Sequence, residues 1–191
     1  MSVTFELAAP AAGRKAIGSH HSPNMVSDTW LTPPEIVRGL GPFDLDPCCP
    51  PVMPWSTATR MLTRADNGLL APWSGRVWLN PPYSRQAAAW LRRLADHGVG
   101  TALVFARTET DWFVDSVWSR ASAVLFLHGR VNFHLANGKR SEHNAGAPSV
   151  LAAYGEADAE RLAAFTGWPG TFLRLGGRQP ETVENPSHGN N

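Results

Sequence analysis

The apolar triplet Val77-Trp78-Leu79 stops at Asn80-Pro81-Pro82-Tyr83, and Ser84 follows as a residue suited to capping a helix. Two consecutive prolines fix two φ angles and delete two N–H donors, so neither a sheet ladder nor a helix runs through them. The chain must leave a strand at Asn80, turn, and start a helix about Arg85-His97, with Gly98 ending it. Sheets built from such units bind ligands beyond the carboxyl ends of their strands. The tetrapeptide at 80–83 is therefore the first place to look for chemistry.

The surrounding pattern repeats the unit. Phe43-Asp46, Val77-Asn80, Thr101-Ala106, Ala123-His128 and Ser149-Tyr154 read as strands, several nearly all apolar as expected when both faces are covered. Thr32-Pro33-Pro34-Glu35 reads as a capping box opening a helix that stops near Gly39-Leu40-Gly41-Pro42, and Thr110-Arg120 reads as another helix. Ala157-Phe165 and Thr171-Leu175 add a helix and an edge strand. The α/β class follows, with a mainly parallel sheet; Gly129-Pro148 lacks a helical pattern and predicts an antiparallel hairpin at the sheet edge. About 34 residues separate Asp46 from Asn80, too few for two strand–helix units, so at most one short strand is expected between them.

A length of 191 residues suits one domain, placed at 29–175, with flexible tails at 1–28 and 176–191 that are poor in large apolar side chains. No apolar run approaches the roughly 18 residues of a membrane span, and the first 28 residues carry no export signal, so the expected setting is cytoplasmic with no membrane partner. Cys48 and Cys49 are the only cysteines, and as direct neighbours they build neither a disulfide scaffold nor a zinc module. His128, His134 and His143 lack a ligand spacing, so no metal is expected. With 17 basic and 16 acidic side chains, nucleic-acid binding would need a local basic patch.

At Asn80 the side-chain oxygen and nearby carbonyls make a rigid acceptor cluster beside the ring of Tyr83. Such a cluster suits a planar –NH2 group. The lone pair of that nitrogen is delocalised, and accepting both its hydrogens favours the pyramidal, electron-rich form that attacks. In Phe43-Asp44-Leu45-Asp46, alternation predicts the two apolar side chains on one face and the two aspartates on the other, with Asp46 at the strand end. Asp46 there is either a binding group or a solvated carboxylate. Asp66, in Asp66-Asn67-Gly68, is either a ligand acceptor or part of an ordinary turn.

Five pieces in order, Asp28-x-Trp30-x-Thr32-Pro33, Phe43-Asp44-Leu45-Asp46-Pro47-Cys48, Asp66-Asn67-Gly68-Leu69, Trp78-Leu79-Asn80-Pro81-Pro82-Tyr83-Ser84 and Phe105-Ala106-Arg107-Thr108-Glu109-Thr110, resemble the phage-type DNA N6-adenine methyltransferases. The likeness spans roughly Asp28 to Tyr154. It implies a reduced Rossmann-like fold and methyl transfer from S-adenosylmethionine to adenine N6 in DNA, without a covalent enzyme intermediate. By that resemblance Asn80 and the Pro81 carbonyl bind the target amine, Pro82 stiffens the turn, and Tyr83 stacks on an extruded base. Thr32, Pro33, Asp46, Pro47, Cys48 and Asp66 border the cofactor. Pro47 is followed by Cys48-Cys49-Pro50-Pro51, where the wider methyltransferase pattern has a glycine-rich turn.

Base extrusion costs a few kcal/mol. Arg107 and Arg130, with Lys139 and Arg140 on the hairpin, are candidates to offset it through phosphate contacts, and Phe133 is a second aromatic against the base. The eight tryptophans are assigned to packing. Two other readings remain: an enzyme of the same chemistry acting on a protein glutamine or an RNA base amine, and a non-catalytic cofactor- or DNA-binding module. The recognition sequence, the oligomeric state and the biological role, restriction–modification in a phage or prophage setting among them, are not written in the motifs.

Overall fold

The protein is described by a computed structural model over residues 30–82, 86–142 and 145–176. The expectations that fall on Asp28, Tyr83, Ser84, His143 and the two tails lie outside the described residues.

The chain runs α1 (Pro34–Leu40), β1 (Leu45–Asp46), β2 (Arg60–Met61), β3 (Val77–Leu79), α2 (Ala87–His97), β4 (Gly100–Phe105), α3 (Asp111–Phe113, continued by a π-helical turn Val114–Trp118), β5 (Ala123–Leu127), β6 (Ser149–Tyr154), α4 (Glu156–Ala163) and β7 (Gly170–Arg174). The strands form one sheet in the order β2-β1-β3-β4-β6-β5-β7. Strands β2, β1, β3 and β4 pair in parallel, whereas β6 is antiparallel to both β4 and β5, and β7 is antiparallel to β5. Five of the strands therefore point the same way, as the Rossmann-like reading requires. The antiparallel strands gather at one side of the sheet, but Ser149–Tyr154 is inserted between β4 and β5, and the outer edge belongs to β7.

In the central strands the side chains alternate between the faces. Trp78, Leu103, Leu125, Leu151 and Ala153 face α1 and α4, where Ile36, Val37, Leu40, Ala159 and Leu162 cover them. Val77, Leu79, Ala102, Val104, Val150 and Ala152 face α2 and α3, where Leu91, Leu94, Phe113 and Val117 cover them. Near-continuous apolar strands are what two covered faces demand.

Between Asp46 and Asn80 there is one short strand before β3, the two residues of β2. The expected alternation in 43–46 is broken. The amides of Asp44 and Leu45 both donate to the Arg76 carbonyl, at 2.8 and 3.2 Å, which behaves as a bulge and advances the chain by one residue. Phe43 consequently packs with α1 and α4 while Leu45 turns to the α2 side.

The predicted cap at Thr32 is also corrected. Helix α1 starts at Pro34, its cap position is Pro33, and no side chain caps it. The capping box instead closes the 3-10 turn Arg64–Asp66, where Asp66 accepts from the Thr63 amide at 2.8 Å and from its hydroxyl at 2.9 Å.

Candidate active site

Strand β1 lies between β2 and β3, so the chain leaves β1 to one side and returns on the other. This makes the gap between β1 and β3 the switch point of the sheet, and its carboxyl end is bounded by Asp46 and Asn80. The two residues that the sequence singled out most strongly are thus brought to one corner by topology.

Asn80 is half-buried. Its Nδ2 donates to the Trp30 carbonyl at 3.1 Å, which fixes the amide plane and assigns its oxygen the acceptor role. Pro81 is buried and Pro82 exposed, so the turn is anchored on one side and open on the other. The Cys48 thiol donates to the Asn80 main-chain carbonyl at 3.3 Å and ties the loop after β1 to the turn after β3.

Asp46 is only 4% exposed, and no basic side chain pairs with it among the described residues. Its Oδ1 accepts from the Cys48 amide at 3.1 Å and its Oδ2 from the Thr57 hydroxyl at 2.5 Å. Burial pushes its pKa up to about 6 against the opposing pull of these two hydrogen bonds. Burial, reinforced by the charge of Asp46, raises the Cys48 thiol as well and pushes Cys49 up to about 12. Both cysteines stay protonated near neutrality and act as donors, Cys49 toward the Pro50 carbonyl at 3.1 Å.

The remaining candidates fall at varied depths. Thr32 is 2% exposed, and its Oγ1 is buried with no hydrogen-bond partner among the described residues, two residues from the carbonyl that holds Asn80. Pro33 and Pro47 are buried. Asp66 is exposed, and its bonds to the amide and hydroxyl of Thr63 hold its carboxyl below the usual range. Arg107 is half-buried at the end of β4.

Arg130, Lys139 and Arg140 are exposed on the excursion between β5 and β6. That excursion touches the site through paired backbone bonds of 2.9 Å between His134 and Leu31. Phe133, the expected second aromatic, is 3% exposed within the α1-side core and meets Trp30 edge-on, so its ring supports the segment that carries the Asn80 partner.

Thr57 is a site residue that sequence reasoning missed. It is 5% exposed in a segment without periodicity or motif, and only its contact with Asp46 marks it.

Among the described residues, the Cys48 thiol lies between the loop after β1 and the Asn80 carbonyl. Two clefts, of about 470 and 460 Å³, lie elsewhere: one at the amino ends of the parallel strands beside Arg76 and Asp158, the other beside Arg92, Glu109 and Trp112. Among the described residues no cluster of His, Cys, Asp and Glu is arranged to hold a metal ion. No helix there is long and apolar enough to cross a membrane.

Comparison with curated proteins and with solved structures returned no match. A family model described as DNA N-6-adenine-methyltransferase (Dam) matches residues 19–165, which include β1, β3, Asp46 and Asn80. Members of that family are DNA adenine methyltransferases and in general use S-adenosylmethionine. With more than half its length matched, the chain belongs to the DNA N-6-adenine-methyltransferase (Dam) family.

Proposed function

We propose that this chain transfers a methyl group from S-adenosylmethionine to the N6 amine of adenine at a specific DNA site, within the cell that holds that DNA. The observation that carries the reading is the placement of Asn80 at the switch point, with its amide fixed by the Trp30 carbonyl and its backbone tied to the loop after β1.

The residues present fit the cofactor. The buried, unpartnered hydroxyl of Thr32 and the buried carboxylate of Asp46 are polar groups that a ligand with an amino-acid end satisfies. Thr32, Pro33, Asp46, Pro47 and Cys48 would hold it, together with Asp66 if its carboxylate exchanges Thr63 for the ligand. S-adenosylmethionine supplies an electrophilic methyl group on a positively charged sulfur.

The protein's own part is positioning and electrostatics. The Asn80 oxygen and the Pro81 carbonyl accept the two hydrogens of the target amine, and the nitrogen lone pair then points at the methyl carbon. The cofactor would supply the methyl group and leave as a neutral thioether, while the Asn80 oxygen and the Pro81 carbonyl would hold the amine until its extra proton passes to solvent. Tyr83 would stack on the extruded base, a contact worth about 1–3 kcal/mol. Arg107 and Arg130 would contact phosphates. The protonated thiols of Cys48 and Cys49 are consistent with transfer that uses no covalent enzyme intermediate.

The test is incubation of the purified chain with methyl-labelled cofactor and, separately, DNA, RNA and a protein extract. Label recovered as N6-methyladenine in DNA is expected. Label confined to RNA or protein would replace DNA as the acceptor, and cofactor binding without transfer would make the chain a binding module.

A further inference from the structure

We propose that Thr57 is a positioning residue for Asn80, acting through the Asp46 carboxylate and Cys48. The inference rests on the methyltransferase reading for its consequence in catalysis, but its geometry stands on the bonds themselves.

Those bonds form an unbroken sequence. The Thr57 hydroxyl donates to Asp46 Oδ2 at 2.5 Å, and the Cys48 amide donates to Asp46 Oδ1 at 3.1 Å. The Cys48 thiol then donates to the Asn80 carbonyl at 3.3 Å, and the Asn80 side chain donates to Trp30 at 3.1 Å. One donor on each carboxylate oxygen fixes both the plane and the rotation of Asp46. With Asp46 fixed, the Cys48 backbone is fixed, and so is the direction in which its thiol reaches Asn80.

Thr57 is the element of this sequence with the fewest other duties. Its hydroxyl lies within reach of Asp46 and, at 3.5 Å, of the Met61 sulfur, a weak acceptor. Charge assistance makes the short hydroxyl–carboxylate bond the strong one. Removing it leaves a buried carboxylate oxygen unmet, where burial already opposes ionisation. The groups coupled to Asp46 are the thiols of Cys48 and Cys49, neither of which supplies a compensating positive charge. Asp46 would then take up a proton at higher pH, and its hold on the Cys48 amide would weaken.

The variants Thr57→Val, which keeps the shape and loses the hydroxyl, and Thr57→Ser, which keeps the hydroxyl, test this in the full chain. Thr57→Val is expected to lower kcat about tenfold, to move the acid limb of activity to higher pH, and to shift the amide resonances of Cys48 and the side-chain amide of Asn80. Thr57→Ser is expected to restore all three. Equal kcat in wild type and Thr57→Val, equal losses in both variants, or unmoved Cys48 and Asn80 resonances would overturn the inference. If the wild type transfers no methyl group to DNA, the functional reading fails. The resonances then decide the positioning role by themselves, a shift restored by serine supporting it and its absence overturning it.

Discussion

The sheet carries one buried carboxylate at each end of its parallel strands, and the two are held in opposite ways. Asp158, in the first turn of α4 at the amino end, is 1% exposed and pairs with Arg76 Nε at 2.7 Å while accepting the Thr101 hydroxyl at 3.0 Å. Asp46, at the carboxyl end, is 4% exposed and among the described residues accepts from an amide and a hydroxyl alone. Arg76 in turn donates to the carbonyls of Leu40 and Pro42 and covers the Phe43 ring, so the amino-end pair clamps α1, β3 and α4 together. A buried charge balanced by a cation is a structural tie. A buried carboxylate given only neutral donors keeps a raised pKa, and such groups concentrate where ligands bind.

The contrast is sharpened first at the amino end. Arg76→Met strands Asp158 and should cost about 3–5 kcal/mol in urea unfolding, whereas the double variant Arg76→Met/Asp158→Leu should recover much of that loss. An equally large loss in the double variant would mean that the tie is not chiefly electrostatic.

The carboxyl end should respond in the opposite sense, with activity lost and stability kept. Asn80→Ala is expected to lower kcat about 100-fold or more, with the unfolding midpoint little changed. Unchanged turnover on DNA would remove Asn80 from the chemistry.

Asp46 supplies a third test through pH. Its folded pKa of about 6 lies above the ordinary 3.8, so the folded state holds the proton more tightly. That contribution to stability is fully present at low pH and is lost as pH rises from about 4 to about 6, by something on the order of 3 kcal/mol. Asp46→Asn should flatten this segment of the stability–pH curve, and an unaltered slope would assign the effect to another group.

The smallest effect is expected on the excursion between β5 and β6, beside the site. Lys139→Ala should reduce the slope of log affinity for DNA against log salt by about 1 without changing sequence preference. An unchanged slope would place the DNA path elsewhere.

What could be read from the chain without coordinates was whatever is local. Helix α2 ends at Gly98 as its glycine demands, with a positive φ of 78°, and the strands at 100–105, 123–127 and 149–154 follow their apolar runs. Asn80 and Asp46 were legible because prolines and strand ends punctuate them.

Hidden were the features that depend on distant partners. Thr57 acquires meaning only when it folds back on Asp46, and Arg76 only when α4 brings Asp158 across 82 positions. The bulge at Asp44–Leu45 inverts a simple alternation because a carbonyl from another strand takes two amides. The Thr32-Pro33-Pro34-Glu35 pattern matches a capping box that the proline at the cap position displaces. Phe133 reads as a second aromatic against the base, and its packing with α1 appears only when the excursion between β5 and β6 folds back.

Strands β1 and β2 span two residues each, whereas β4 and β6 face each other over six. Amide hydrogens at 45–46 and 60–61 should therefore exchange orders of magnitude sooner than those of 100–105 and 149–154, since few ladder bonds hold them against local opening. Asp46 therefore sits on the flank of the sheet with the shorter ladders, where a ligand would meet the strands paired over the fewest residues.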